Sequence, residues 1–285
     1  MLNLVTVTPT PMNFVTPAAL DITRTLFLEV QRHLQVQHLA VLVADTTRTL
    51  WTHHASGWFT HLRSYGVPEG KGLSWLTLNA KTVQVFQNPS QHPNVFSPEP
   101  SDQTKQIQVS VPLLSNDQPL GVLHILRNAT QPFQKRDLLW LTQQCQAIVS
   151  PLETALRTEK QFGQALAKHP IGCLVRDFAV YLGEPQPIAQ AIAWAAILPK
   201  SSPSQLPLET RLAFEQEHCR FDGTGTPALV GSSISISARI VQVVLAYTQY
   251  LEQGLVLADA LAALRREAGW KLDPLLVHAL EQYLR

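Results

Sequence analysis

Hydrophobic and polar positions divide the chain into a first region of mixed helices and strands and a second region of helices. In the first region, helical spacing over Pro17–Leu34 predicts a helix, and the continuous apolar run His38–Asp45 predicts a buried strand. Gln108–Leu114 and Leu120–Arg127 predict a hairpin around a polar turn. Further segments predict a strand, a short helix and another strand: Leu50–Trp58, Ser74–Asn79 and Lys81–Gln87.

A long helix over Pro132–Lys160 is predicted to close this region. Its apolar positions recur every three or four residues: Leu138, Leu141, Cys145, Ile148, Leu152 and Leu156. Such a narrow stripe favours a parallel helix pair between two copies of the chain, or packing on the chain's own sheet. We expect a homodimer through this helix. Pro151 should kink the helix or mark a new start, because it lacks a backbone N–H group.

The second region, from Gln161 to Arg285, is predicted to be all helical. Six helices are expected, over residues 162–182, 187–198, 208–219, 234–252, 257–267 and 274–284. Asp273 as N-cap with Pro274 at the first helical position gives the last helix a defined start.

Length and charge set the class of protein. A chain of 285 residues with 45% hydrophobic and 15% charged residues suits two packed domains. The net charge of +1 gives no general attraction to nucleic acid or anionic lipid. Ile188–Leu198 is the longest apolar stretch, too short to span a bilayer. We therefore expect neither nucleic acid as a partner nor membrane insertion.

Cysteine usage and the N-terminus point to the cytoplasm. The three cysteines, Cys145, Cys173 and Cys219, are widely spaced and odd in number, which is typical of a reducing compartment. Met1–Pro17 lacks the basic start and apolar core of a signal peptide, and its prolines predict an extended arm.

One stretch combines several chemically distinctive residues, Phe214–Pro227, FEQEHCRFDGTGTP. Gly223 and Gly225 permit left-handed backbone angles, and Asp222 can accept a bond from the backbone two residues later. A histidine beside acids and a glycine loop fits a metal site, a phosphate site or an ordinary turn. The residue types alone leave these alternatives open.

A resemblance narrows the choice. HCRFDGTGTP resembles the motif H-H-E-x-W-D-G-x-G-Y-P of the HD-GYP family, metal-dependent phosphodiesterases that hydrolyse cyclic di-GMP. Ile236–Leu251 resembles the family helix I-P-x-x-A-R-I-x-x-V-A-D-x-F-D-A-L. Ala258–Leu264, Gly269 and Leu272–Leu280 resemble its closing A-L-x-x-L … G-x-x-F-D-P-x-L-V-x-A-L. The resemblance covers about 70 residues and implies a helical HD-like domain.

Several departures from the family pattern fall on metal-ligand positions. Glu217 stands for the first of the paired histidines, and Leu245 for the Asp of V-A-D. Pro199-Lys200 stand at the His-Asp pair that names the family, His169 is a weak match to its first histidine, and the spacer to His218 is short. Cys219 and Thr226 also depart from the motif. A binuclear site needs several carboxylate and imidazole ligands.

We therefore expect a degenerate HD-GYP domain with no catalytic residues, no bound metal and no cofactor. Its vestigial motif consists of His218, Asp222, Gly223, Gly225 and Pro227.

The first region resembles a GAF domain over residues of about 20–157. GVPEGKGLSWLTLNAKTVQVFQNPSQHPNV and SVPLLSNDQPLGVLHIL are similar to its loop and hairpin motifs. The resemblance implies an antiparallel sheet that can hold a small molecule, and Trp58, Trp75 and Phe86 are candidates for such a pocket or for core packing. Five histidines of this region, His53, His54, His61, His92 and His124, are too scattered to form a metal set. No cysteine occurs between Trp51 and Arg127, so covalent bilin attachment in that loop is not expected.

The expected fold class is α+β, a GAF-type antiparallel sheet flanked by helices and joined by a long helix to an all-α HD-like domain. The expected divisions are an arm (1–18), a GAF-like domain (19–157) and an HD-GYP-like domain (158–285). The leading hypothesis is a regulatory protein that senses a ligand or dimerises through its GAF domain and binds a protein partner or a cyclic nucleotide without hydrolysing it. The alternatives are a cyclic di-GMP phosphodiesterase with one cation held by Glu217, His218, Asp222 and His169, and an assembly factor for a larger complex.

Overall fold

The computed structural model describes residues 18–95, 105–198 and 206–285. These residues form two compact units, one ending at Thr158 and the other comprising Glu159–Arg285. The expected arm lies outside the described residues except for Ala18, and so do Pro199 and Lys200.

The first unit contains a six-stranded antiparallel sheet in the order β3-β2-β1-β6-β5-β4. Its strands are β1 (His38–Ala44), β2 (Leu50–Ser56), β3 (Gly66–Val67), β4 (Gln84–Gln87), β5 (Gln106–Ser115) and β6 (Gln118–Asn128). Its helices are α1 (Ala19–Leu34), α2 (Gly72–Ala80) and α3 (Lys135–Leu166), with 3-10 turns at Gly57–Ser64 and Pro89–Gln91. The predicted α+β class and antiparallel sheet are confirmed.

The two faces of the sheet are both covered, which explains the unbroken apolar run of β1. Val41 pairs with Leu123, and both side chains pack with α1 and α3. Their neighbours Leu42 and Val122 also pair, and they point to the opposite face, under α2 and the 3-10 turn Gly57–Ser64. Because successive side chains alternate between faces, a strand covered on both sides is apolar at every position.

The hairpin of β5 and β6 turns at Asn116 and Asp117, whose φ angles are 47° and 66°. Two successive left-handed residues are typical of the type I′ turn, which Asn and Asp tolerate better than most side chains. The predicted hairpin and its turn are confirmed. By contrast, β4 begins at Gln84 and not at Lys81, because Lys81 adopts φ 57° and ends α2.

The apolar stripe of α3, which the sequence suggested as a contact between two copies of the chain, packs against the core of its own unit. Leu141, Cys145 and Leu152 are at most 1% exposed in the core under the sheet, and the other stripe residues pack against the same core. Helix α3 also runs through Pro151 without a new start. The stripe therefore gives no support to dimerisation, and the homodimer stays a prediction.

The second unit is helical throughout its described residues. It contains the end of α3 and the helices α4 (Pro170–Tyr181), α5 (Gln186–Trp194), α6 (Leu208–Glu215), α7 (Ile236–Glu252), α8 (Leu257–Glu267) and α9 (Pro274–Tyr283). Helix α7 packs with α4, α5, α6, α8 and α9 and forms the centre of the unit.

The predicted helix over residues 162–182 was wrong, and the one over 187–198 ends early, at Trp194. Residues 162–182 form the end of α3 and the separate helix α4, with a break before Pro170. His169 is extended (φ −110°, ψ 105°), as expected for a residue before proline, and Pro170 takes the first helical position. The predicted start of the last helix is confirmed, since the Asp273 carboxylate accepts from the amides of Leu275 at 2.8 Å and Leu276 at 3.4 Å.

Candidate functional site

The motif loop begins where α6 ends, and a side chain from α7 fixes that end. The Gln242 amide nitrogen Nε2 lies 2.9 Å from the carbonyl oxygen of Gln216, 3.2 Å from that of Cys219 and 3.3 Å from that of Glu217. The Gln216 carbonyl also accepts from the Cys219 amide at 3.0 Å, an i to i+3 bond of a tight turn, and α6 stops at Glu215, short of the predicted 219. Sequence reasoning missed Gln242, because it occupies an unspecified position of the family pattern.

The two motif glycines are required for different reasons. Gly223 has φ 86°, a left-handed angle, as predicted. Gly225 does not have a positive φ, and in this respect the prediction was wrong. A β-carbon on Gly225 would lie 2.3 Å from the Arg220 nitrogen and 2.3 Å from the His218 oxygen, so this residue permits a close backbone approach.

Asp222 stabilises the same turn. Its Oδ1 accepts from the Thr224 amide at 2.9 Å and from the Thr224 hydroxyl at 2.8 Å, as predicted for a bond two residues on. The bonds from Thr224 lower the pKa of this carboxyl below its ordinary value. Asp222 therefore stabilises the turn through its Oδ1.

The loop packs against the chain's closing segment. The amides of Phe221 and Asp222 donate to the carbonyls of Lys271 at 3.2 Å and Trp270 at 3.0 Å, and the Arg220 guanidinium lies 5.3 Å from the Trp270 ring centroid. Two segments about 50 residues apart in sequence, both singled out by their resemblance to one family, thus meet in space.

His218 is 75% exposed, and its Nε2 lies 3.0 Å from Glu217 Oε1. Cys219, the next residue, is 4% exposed and donates from Sγ to the Pro227 carbonyl at 3.1 Å. Burial raises the pKa of the Cys219 thiol, so this cysteine is a packing residue and not a ready nucleophile.

The remaining metal-ligand candidates do not join His218. Within residues 18–95, 105–198 and 206–285, no three His, Cys, Asp or Glu side chains are grouped closely enough to hold a metal ion. His169 caps α4 by accepting from the Gly172 amide at 3.2 Å, and burial lowers its pKa. Asp222 is engaged with Thr224. These donors do not fit a binuclear metal centre.

A cavity of about 410 Å³ lies beside Glu217 and His218. Leu245, which stands where the family has an aspartate, is part of its wall. Most of the other lining residues are apolar, and they come from the turn after α5, from α6, from α7 and from Leu272: Ala195, Ala196, Leu198, Ala213, Phe214, Ala238, Val241 and Ala246. The wall of this cavity is therefore mainly apolar.

The three aromatic residues proposed for a GAF pocket do not form one group. Trp75 is 1% exposed in the core on the α2 face and donates from Nε1 to the Val67 carbonyl at 3.2 Å. Trp58 packs against the same core, whereas Phe86 lies on the edge strand β4 and contacts His92. The surroundings of Trp75 are those of a core residue, which was the alternative to a ligand pocket.

A buried polar network lies on this same face of the sheet. His124 Nε2 lies 2.7 Å from Ser74 Oγ, and His124 Nδ1 lies 2.7 Å from Ser110 Oγ and 3.1 Å from Gln108 Nε2. The Phe59 ring stacks on the imidazole, and burial lowers the pKa of His124 to about 3. The network links α2 to β5 and β6, with every member hydrogen bonded.

Two other histidines tie α1 to β2. His53 Nδ1 lies 3.1 Å from Thr23 Oγ1, and His54 Nε2 lies 2.8 Å from the Leu20 carbonyl. Burial lowers the pKa of His53 to about 3 and that of His54 to about 4. Both histidines therefore serve the packing of α1 on β2.

Comparison with protein families decides the nature of the first unit. Residues 19–150 match the GAF domain family. These residues form a GAF domain. The match confirms the resemblance to a GAF domain that the sequence motifs indicated. It supports a ligand-sensing or regulatory role in general.

Solved structures that this chain matches include the GAF domain/HD domain protein from Geobacter sulfurreducens. It shares 13% identity over 50% of this chain and 94% of that chain, with a TM-score of 0.42. The GAF domain of a phosphoenolpyruvate-protein phosphotransferase from Coxiella burnetii shares 12% identity over 51% and 89% of the two chains, with a TM-score of 0.45.

The free methionine-R-sulfoxide reductase from Neisseria meningitidis shares 18% identity over 48% of this chain and 81% of that chain, with a TM-score of 0.40. A comparison with curated proteins found no match. No helix in the described part of the chain has both the length and the apolar character to cross a membrane.

Proposed function

We propose that this chain is a non-catalytic regulatory protein. In it the GAF domain senses a ligand or dimerises, and the C-terminal unit, degenerate with respect to the HD-GYP family, binds a protein partner or a nucleotide without hydrolysing it. The unit keeps the loop that resembles the family motif but uses its polar groups to hold the loop together.

One observation carries this proposal. Leu245, at the family's aspartate position, lines an apolar cavity next to the Glu217–His218 pair. Phosphodiester hydrolysis by paired metals requires several charged ligands that converge on two cations. A leucine supplies neither charge nor a lone pair, and Asp222 and His169 serve their own turns.

The deciding experiment measures metal content and turnover on the purified full-length chain. We expect no stoichiometric manganese or iron and no hydrolysis of cyclic di-GMP after either metal is added. About two tightly bound metals per chain, with turnover that His218→Ala abolishes, would overturn the proposal in favour of the phosphodiesterase alternative. Leu245→Asp serves as a companion variant, since one restored carboxylate should not by itself produce turnover.

An assembly factor is the second candidate, favoured by exposed apolar side chains on the C-terminal unit. Val230, Val256 and Leu275 are 59%, 65% and 78% exposed. Isolated exposed residues are common, so this candidate requires that they act together. Replacing all three by serine should then release a co-purifying partner while His218→Ala leaves it bound.

A further inference from the structure

The cavity of the C-terminal unit is large enough to bind a small molecule. Its volume of about 410 Å³ falls in the range of small-molecule pockets, roughly 300–1,000 Å³. Side chains from four separate parts of the unit surround it, so the site is concave and not a flat surface for docking a protein.

The charges around the cavity are balanced. Lys271 is the only lysine or arginine among its described lining residues, and its Nζ lies 2.8 Å from Glu267 Oε1. Glu217 adds a carboxylate to the wall beside His218. An anionic ligand would therefore meet one cation that is already paired and one like charge.

The backbone near the cavity does not favour an anion either. Phosphate groups commonly bind to free amides at a helix N-terminus. In α7 the first-turn amide among the lining residues, that of Ala238, already donates to Ser235 Oγ at 3.2 Å. Among the described residues, neither the side chains of the wall nor this helix start is arranged for a phosphodiester.

Gln242 presents a hydrogen-bond acceptor on the wall that the described residues leave unused. Gln242 directs its nitrogen to three carbonyls, and no described residue donates to its oxygen Oε1, which keeps solvent-accessible surface. Since Gln242 lines the cavity, this oxygen can receive a bond from a ligand hydroxyl or amide N–H.

We infer that the cavity binds an uncharged, mainly apolar small molecule that carries one hydrogen-bond donor. The inference rests on the proposed function in treating the C-terminal unit as a binding unit, and it selects a neutral ligand over a nucleotide. Apolar surface supplies the affinity, and the Gln242 oxygen orients the donor.

The test is equilibrium dialysis of the full-length protein at pH 7 against three probes of one shape. These are 2-naphthol, naphthalene and 2-naphthoate, with cyclic di-GMP as a fourth ligand. We expect 2-naphthol to bind at one per chain, about fivefold more tightly than naphthalene because of the donor. We expect 2-naphthoate to bind at least about tenfold more weakly than 2-naphthol, because its charge must be desolvated beside Glu217.

A matched pair of variants locates the site. Ala246→Phe fills the cavity from α7 and should abolish binding, whereas Ala258→Phe, on an exposed position of α8 outside the lining, should leave it unchanged. Nuclear Overhauser contacts from the bound probe to the methyl groups of Val241 and Leu245 provide a second readout that needs no substitution.

Absence of 2-naphthol binding would overturn the inference, and so would tighter binding of 2-naphthoate or cyclic di-GMP. Binding that survives Ala246→Phe, or is lost equally in Ala258→Phe, would remove it from this cavity and also overturn it. None of these results changes the metal and turnover measurement, so failure here is distinct from failure of the proposed function.

Discussion

His124 and His218 lie in contrasting surroundings, one in each unit. His124 is 3% exposed, and both ring nitrogens have hydrogen-bond partners among Ser74, Ser110 and Gln108. His218 is 75% exposed beside a cavity and pairs only with its neighbour Glu217 among the described residues. A closed network fixes one arrangement of a core, whereas polar groups with spare capacity around an apolar space are suited to a ligand.

The same substitution at both positions should have the most unequal effect. His124→Ala leaves three buried partners short of a bond and opens a cavity, so we expect it to lower the free energy of unfolding by about 3 kcal/mol. His218→Ala should change it by less than about 0.5 kcal/mol, because the side chain is mostly in solvent. Urea unfolding followed by tryptophan fluorescence measures both, and equal effects would refute the contrast.

Acidification should destabilise the GAF domain selectively. The folded pKa values of His53 and His124 lie at about 3, below the unfolded value of about 6.5. The unfolded chain therefore gains protons first as the pH falls, and stability present above pH 6.5 is lost progressively down to about pH 3. Between pH 6 and 5, His53, His54 and His124 together should cost about 3.5 kcal/mol of stability, since the folded pKa of His54 also lies low, at about 4.

The urea midpoint of the GAF transition, assigned by hydrogen exchange, checks this expectation. His124→Leu should reduce the pH slope by about a third if the variant folds, since one of the three protons is then absent. A midpoint that stays constant between pH 6 and 5 would contradict the buried neutral state of these rings.

The motif loop offers a sharper contrast between glycines. Gly225→Ala would place a methyl group 2.3 Å from backbone atoms of the loop, so the loop must shift at a cost of about 2 kcal/mol. Gly254→Ala is the control: it has φ 89° and no atom within 4 Å, so only the left-handed angle costs it about 1 kcal/mol. The melting temperatures of the two variants measure this difference. If Gly225→Ala lowers the melting temperature less than Gly254→Ala does, the motif loop is loosely packed.

Substitutions at Gln242 and Gln249, both on α7, compare a side-chain amide that donates hydrogen bonds with one that has no partner among the described residues. Gln242→Leu removes the donor from the carbonyls that end α6 and should cost about 1.5 kcal/mol. Gln249→Leu should be nearly neutral, because that amide is exposed and has no partner among the described residues. Faster hydrogen exchange around residues 216–219 in Gln242→Leu alone would locate the effect, and identical exchange in both variants would contradict the assigned role.

Much of the GAF fold was predictable because it depends on local pattern and turn chemistry. The alternating faces of β5 and β6, the polar residues at Asn116 and Asp117, and the helical spacing of α1 each determine structure over a short stretch. The errors fell where two effects compete locally. At Pro170 the missing amide and the extended preceding residue outweigh an otherwise continuous helical pattern.

The candidate site was predictable only in part. Motif resemblance drew attention to the loop, its glycines and Leu245 from the order of residues alone. It did not indicate Gln242, whose amide acts on backbone groups more than 20 positions away, or the cavity, which exists only because α5, α6 and α7 meet beside the Lys271–Leu272 turn.

The apolar stripe of α3 also separates what the sequence determines from what the tertiary structure determines. The sequence determined that one face of this helix is apolar, since spacing sets which residues share a face. Only the tertiary structure decided what covers that face, because the sheet of the same chain buries Leu141, Cys145 and Leu152. Local backbone preference is encoded along the chain, whereas burial, hydrogen-bond satisfaction and empty volume depend on which distant segments pack together.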